Sequence, residues 1–94
     1  MNELASNIAN WRKGKGFITS WDNMPEKLML VVTELSEAME AYRDCDICQF
    51  NEEIADTFIR LLDICGSLYM DIECEISRKM TINAGRPFRH GRNC

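Results

Sequence analysis

The fold is decided by residues 24–43, which read MPEKLMLVVTELSEAMEAYR, and by residues 51–65, which read NEEIADTFIRLLDIC. Both stretches place apolar residues three or four positions apart, the spacing of one face of an α-helix. The predicted apolar stripe of the first stretch is Leu28, Val31, Leu35, Ala38, Met39 and Tyr42, and that of the second is Ile54, Phe58, Leu61, Leu62 and Cys65. Two amphipathic helices joined by a short polar connection predict an all-α domain.

Capping signals indicate where these two helices begin. Asn23 followed by Pro25 is typical of a helix start, so the first of them is expected from about Met24 to Arg43. Asn51, followed by two glutamates, is expected to cap the next helix, because early acidic residues suit the positive end of the helix dipole.

Two further helices flank this pair. The first is expected over residues 2–13, with Leu4, Ile8 and Trp11 on one packed face. A break near Gly66 and a new cap at Asp71 place the last helix at residues 72–84. The sequence therefore predicts four helices, followed by a basic, irregular tail from about residue 85.

Length and composition predict one domain that associates with itself. With 94 residues, the chain has room for a single domain over residues 1–94. The hydrophobic share of 46% is high for so short a chain, so we expect a homodimer or a dimer of dimers. No apolar run is long enough for a membrane span and the N-terminus is polar, so we expect no membrane partner and a cytoplasmic location.

Charge is distributed unevenly along the chain. The net charge is -4, yet thirteen of the fifteen acidic residues lie between Glu26 and Glu75, and every charged residue after Glu75 is basic. A net acidic chain argues against binding to a nucleic acid polymer. An acidic middle followed by a basic end suits a site that holds cations with one part and phosphates with the other.

The acidic middle contains two pairs of carboxylates with helical spacing. Glu34 and Glu37 lie on the second predicted helix, and Glu53 and Asp56 lie on the third. Residues three positions apart are neighbours on a helix surface, so antiparallel packing could bring both pairs together. Such a group would bind Mg²⁺, with Mn²⁺ as a substitute. The alternative is that these acids simply face water.

These pairs resemble the hallmark of the MazG-type all-alpha nucleoside triphosphate pyrophosphohydrolases, a Glu-x-x-Glu on one helix and a Glu-x-x-Asp on the next. The similarity covers roughly residues 21–92. It extends to Pro25-Glu-Lys-Leu, Arg78-Lys-Met, Asn83, Arg86-Pro87 and Arg89-His90-Gly91. Many family members have a further Glu where this chain has Thr33, so additional metal ions would be held differently here.

The resemblance implies a Mg²⁺-dependent enzyme that hydrolyses a nucleoside or deoxynucleoside triphosphate to monophosphate and pyrophosphate, cleaning the nucleotide pool. It makes Glu34, Glu37, Glu53 and Asp56 the metal ligands, and Glu37 is also our choice of general base. Its implied substrate-binding residues are Lys79, Asn83 and Arg86 for the triphosphate or sugar and Trp21 for the base. A solvated basic face and a core tryptophan are the alternatives.

Some residues allow other interpretations. Trp11 fits the packed stripe of the first helix, and we assign it to packing. Lys27, Arg60 and Asp63 share the polar flank with the carboxylates and are candidates for supporting them, and exposed ion pairs are the alternative. The alternative function for the whole chain is a non-catalytic helical protein-interaction module, with solvated acids and an apolar surface that binds a partner.

Overall fold

The computed structural model describes residues 1–86, and within them the protein is all-α and contains no strand. Its helices are α1 (Asn2–Gly14), α2 (Met24–Arg43), α3 (Ile47–Ser67) and α4 (Ile72–Ala84), with one turn of 3-10 helix at Trp21–Asn23 between α1 and α2. The predicted class, four helices and bounds of α2 and α4 are confirmed, and α1 is one residue longer than predicted. The predicted basic tail lies mostly outside the described residues.

The start of α3 differs from the prediction by five residues. Asp46 caps this helix, and its side chain accepts a hydrogen bond of 3.0 Å from the backbone nitrogen of Gln49. Asn51 therefore lies within the helix, because the earlier aspartate satisfies an N–H group that would otherwise lack a partner. Asn23 occupies the N-cap position of α2, as predicted, but its side chain bonds to Ser20 and Ile18 rather than to the first turn of the helix.

The central helix is α3, which packs against α1 on one side and α2 on the other. Ala5 of α1 meets Leu62 and Cys65 of α3, with Ile8 and Ile72 beside them. On the other side, Met24 and Val31 of α2 meet Ile64, with Leu68 beside them. This arrangement gives α3 two buried faces and leaves α1 and α2 with one each.

Small residues allow α1 and α3 to approach closely. Gly66 lies against the backbone of Ala5, and a Cβ atom added to Gly66 would meet the Ala5 carbonyl oxygen at 2.2 Å and the Ala9 Cβ at 2.8 Å. Ala5 and Ala9 are the two buried residues of α1. Backbone contact, rather than a large apolar side chain, thus sets the distance between these helices.

The predicted apolar stripes are only partly buried. On α2, Val31 and Ala38 are buried, whereas Leu28, Leu35, Met39 and Tyr42 are exposed. The buried face of α2 consists instead of Met24, Val31, Glu34, Ala38 and Ala41. On α1, Ile8 is half-buried, but Leu4 and Trp11 are exposed, so the assignment of Trp11 to packing is wrong within this chain. The stripes are exposed because α3 contacts a narrower, small-residue face of each neighbour.

A buried polar cluster fixes the segment between α1 and α2. Asp63 of α3 is 3% exposed and accepts hydrogen bonds from Thr19 Oγ1 at 2.6 Å and Ser67 Oγ at 3.2 Å. Arg12 Nε lies 3.3 Å from the same carboxylate, and its guanidinium carbon lies 4.8 Å from the centre of the Phe17 ring. Asp63 therefore supports α1 and its following loop, not the carboxylate pairs of α2 and α3.

The last helix is attached mainly at its beginning. Asp71 caps α4 by accepting a hydrogen bond from the backbone nitrogen of Cys74, and Asn2 bonds to both Asp71 and Glu73. Beyond this point α4 packs along neither α2 nor α3 in residues 1–86, and none of its own residues is buried. In this part of the chain, no helix is long and apolar enough to cross a membrane.

Candidate metal centre

Three of the four predicted carboxylates converge between α2 and α3. Glu34, Glu37 and Glu53 each offer a carboxylate oxygen, and these three oxygens lie within 4.8 Å of one another. Glu34 and Glu53 are 8% and 6% exposed, whereas Glu37 is open to solvent. Glu34 is buried because it lies three positions after Val31 and four before Ala38, on the face of α2 that contacts α3.

Asp56 is the exception among the four. It is exposed, it lies one helical turn after Glu53 on α3, and it is not part of the close group of oxygens. Asp56 instead lines a neighbouring cavity together with Glu34. The predicted pair on α3 therefore has one member inside the cluster and one at its edge.

Glu53 has an incompletely satisfied carboxylate. Gln49 Nε2 donates a hydrogen bond of 2.9 Å to Glu53 Oε1, but Glu53 Oε2 is buried and has no hydrogen-bond partner in residues 1–86. Two ionised carboxylates cannot hydrogen-bond to each other, but a protonated Glu53 can share a hydrogen bond with Glu37. This bond, burial, and the negative charges of Glu37 and Glu34 raise the pKa of Glu53 to about 7. The surroundings therefore destabilise the ionised form of Glu53, and a cation would stabilise it.

Arg60 neutralises part of this acidic group. Its Nε donates a hydrogen bond of 3.0 Å to Glu34 Oε1, which links α3 to α2 beside the cluster. Arg60 is therefore paired with one of the four predicted carboxylates. Within residues 1–86, Arg60 is paired with Glu34 alone among the three, so the oxygens of Glu37 and Glu53 lie close together with no ion-pair partner from that part of the chain.

The residues present fit a hard divalent cation. Mg²⁺ and Mn²⁺ prefer oxygen ligands, and the three converging side chains are all carboxylates. Buried polar atoms in proteins almost always have partners, so the orphaned Glu53 Oε2 is an independent sign that the cluster receives a ligand. The arrangement can hold a cation by two buried, fixed carboxylates and one exposed carboxylate.

The predicted substrate-binding residues do not approach this cluster within the chain. Trp21 lies in the 3-10 turn and is 75% exposed. Lys79, Asn83 and Arg86 are exposed along α4 and its end, and the Arg86 side chain bonds to Asn83. Since α4 does not pack along α2 or α3, residues 1–86 of one copy do not bring these predicted substrate-binding residues to the carboxylates.

Sequence reasoning missed two contributors to this region. Gln49 bonds to Glu53 from one turn earlier in α3, and Trp11 lines a cavity that also contains Glu34 and Asp56. The spacing of Gln49 and Glu53, four positions apart, was a usable signal once α3 was known to begin at Ile47. Nothing in the sequence distinguishes an exposed Trp11 from a packed one.

We compared the chain with models of protein families, with curated proteins and with solved structures, and none of the three comparisons gave a match.

Proposed function

We propose that this protein is a magnesium-dependent nucleoside triphosphate pyrophosphohydrolase. The observation that carries the proposal is the convergence of Glu34, Glu37 and Glu53, with a buried Glu53 oxygen that has no partner in residues 1–86. The sequence resemblance to the MazG-type family supports the same activity and its place in cleaning the cytoplasmic nucleotide pool. The chemistry of the carboxylates supports Mg²⁺ or Mn²⁺ as the cofactor.

The buried carboxylates would bind the metal ion, and the exposed carboxylate would act as the general base. Glu34 and Glu53 are held between two helices and would keep a fixed ligand geometry, with Asp56 reaching the site from its edge. Glu37 is exposed, so it can approach a water molecule and accept its proton. Bound Mg²⁺ would supply the rest of the chemistry by lowering the pKa of water and neutralising phosphate charge. The water would then add across the α–β phosphoanhydride bond, which breaks to give a monophosphate and pyrophosphate, while Glu37 holds the proton taken from the water.

A product assay tests this function directly. The protein is incubated with each common ribo- and deoxyribonucleoside triphosphate in Mg²⁺, in Mn²⁺ and in chelator. We expect equal amounts of monophosphate and pyrophosphate with either cation and no turnover in chelator, because the carboxylates need a metal to bind a phosphate chain. Orthophosphate as the primary product would contradict the proposal.

The alternative function is a non-catalytic helical interaction module. It is favoured by the exposed apolar side chains of α2, since large exposed patches mark protein contacts. This module would hydrolyse no nucleotide and would show no specific response to Mg²⁺. The product assay with its chelator arm separates the two functions.

We further propose that a second copy of the chain covers the apolar surface. Leu28, Val32, Leu35 and Met39 are each about half exposed and recur three or four positions apart, as on one face of α2. A helix of 13 residues such as α4 is marginally stable in water without a packing partner. Both features suit an enzyme that acts as a homodimer or a dimer of dimers.

Sedimentation tests this association. We expect the protein to sediment as at least a dimer at micromolar concentration. Replacing both Val32 and Met39 with Arg should dissociate it, because the change would bury two charges in the contact. The control is Ile47→Arg, which changes an exposed residue at the start of α3, away from this stripe. A parent protein that sediments as a monomer would contradict the proposed contact.

A further inference from the structure

Two cavities of different charge lie beside the carboxylate cluster. The first has a volume of about 440 Å³ and is lined by five carboxylates, from Glu37, Glu40, Asp44, Asp46 and Glu53. The second has a volume of about 210 Å³ and is lined by Trp11, Arg12, Glu34, Asp56, Ile59 and Arg60. The cluster lies between them, because Glu37 and Glu53 contribute to one cavity and Glu34 contributes to the other.

A nucleoside triphosphate would favour the second cavity. The phosphate chain carries several negative charges, and five carboxylates would repel it even with one divalent cation present. The second cavity is lined by two arginines, and guanidinium groups bind phosphate oxygens with directed hydrogen bonds. A substrate that enters here would also reach Glu34 and Asp56 directly.

The two arginines differ in how they are held. Arg12 is fixed by Asp63 and by the Phe17 ring, so its position is set by the fold. Arg60 is bound only to Glu34, and about a quarter of its side chain remains exposed. A metal ion held by Glu34 would share its negative charge, so Arg60, whose only carboxylate partner in residues 1–86 is Glu34, could also donate to a phosphate.

The same cavity presents an aromatic side chain. Trp11 is 57% exposed on a helix that buries only two alanines. Its indole offers a flat apolar surface beside the arginines, and a nucleobase stacks favourably on such a surface. At about 210 Å³ the cavity can hold a base or part of a phosphate chain, while the rest of a nucleotide extends over its open rim.

We propose that the Trp11–Arg60 cavity is the nucleotide-binding subsite, with the base stacked on Trp11 and the phosphate chain between Arg60 and the carboxylates. This inference rests on the proposed function, and it assigns base recognition to Trp11 of α1 instead of Trp21. The ligand class is an aromatic-base nucleotide with a polyphosphate chain. Recognition by stacking would accept several bases, because every base has a π-face.

The test separates the base from the phosphate chain. Binding in Mg²⁺ is measured by calorimetry for inorganic tripolyphosphate and for nucleoside triphosphates with a non-hydrolysable bridge between the α- and β-phosphates. Trp11→Ala should weaken nucleotide binding roughly 5- to 150-fold, the effect of losing one base stack. It should leave tripolyphosphate binding within about twofold, whereas Arg60→Gln should weaken both ligands.

Two control variants show whether a loss of nucleotide binding in Trp11→Ala is specific to stacking on Trp11. Phe58→Ala removes an aromatic side chain of similar exposure from α3 outside the cavity, and it should bind both ligands like the parent. Trp11→Phe should retain most nucleotide affinity, which distinguishes stacking from a loss of folding. Equal nucleotide affinity in Trp11→Ala and parent, or a loss in Trp21→Ala alone, would overturn the subsite. A parent that neither binds nor hydrolyses nucleotides would instead refute the proposed function.

Discussion

Replacing Glu53 with Gln should abolish nearly all Mg²⁺-dependent hydrolysis, with a loss of at least about 100-fold. The amide keeps the shape of the side chain but removes the buried negative charge that faces Glu37 and Glu34. Initial rates of pyrophosphate release from the parent and the variant measure this effect. Comparable rates for the parent and the variant would show that Glu53 is not part of the metal centre.

The same substitution should raise the melting temperature in chelator. Neighbouring carboxylates and burial raise the pKa of Glu53 from 4.5 to about 7 in the folded protein, so its folded state holds a proton more tightly than its unfolded state. The stability contributed by this proton is fully present below pH 4.5 and is lost as the pH rises through 7. The advantage of the Gln variant over the parent should therefore grow between pH 4.5 and 7 and stay constant above that range.

The matched control is Glu52→Gln, which removes the same charge from an exposed position one residue earlier on α3. This control should melt like the parent in chelator. Mg²⁺ should raise the melting temperature of the parent and of the control, because a cation that binds only the folded state stabilises it by mass action. Equal melting curves for parent and Glu53→Gln in both conditions would contradict a shared metal site.

Replacing Gly66 with Ala should strongly destabilise the fold. The new methyl group would meet the backbone oxygen of Ala5 at 2.2 Å, and backbone cannot move aside as a flexible side chain can. Overpacking at such a place lowers the free energy of unfolding by about 3 kcal/mol or more. The better helix propensity of alanine raises it by only about 1 kcal/mol. We expect a net loss of about 2 kcal/mol, which lowers the melting temperature by roughly 10 °C in a domain of this size.

Thermal unfolding followed by circular dichroism measures the effect of Gly66→Ala. The control is Gly14→Ala, because a Cβ atom at Gly14 would have no neighbour within 4 Å and the residue lies at the end of α1. This control should be neutral or slightly more stable. Since α1 carries Trp11, the Gly66 variant should also lose nucleotide affinity at temperatures where it remains folded. An unchanged melting temperature for Gly66→Ala would refute the close contact of α1 with α3.

The sequence predicted which carboxylates lie side by side on each helix, but it did not predict how the two pairs are arranged relative to each other. Spacing of three positions placed Glu34 with Glu37 and Glu53 with Asp56, and adjacent helices made their convergence plausible. It could not show that Asp56 lies at the edge of the cluster or that Glu53 Oε2 is buried without a partner in residues 1–86. Those facts depend on the rotation of α3 against α2, which has no signature in either helix alone.

The sequence by itself determined the helices, because helix formation and termination depend on nearby residues. Pro25 and Asp71 mark the starts of α2 and α4, and both helices have the predicted bounds. The exception is α3, where Asp46 competes with Asn51 as a cap and the earlier residue is used. Asp46 and Asn51 are both good capping residues, and the residues around each do not favour one over the other. The choice between them depends on the geometry of the connection from α2 to α3.

Only the tertiary structure decided which side of each helix is buried. Apolar periodicity identifies a face that avoids water, but it does not distinguish contact within the chain from contact with a ligand or a second copy. Gly66 and Ala5 allow α1 to meet α3 through small residues, which leaves Trp11 exposed beside Glu34 and Asp56. The position of Trp11 is therefore a consequence of how closely two backbones can approach, and that distance depends on residues far apart in the chain.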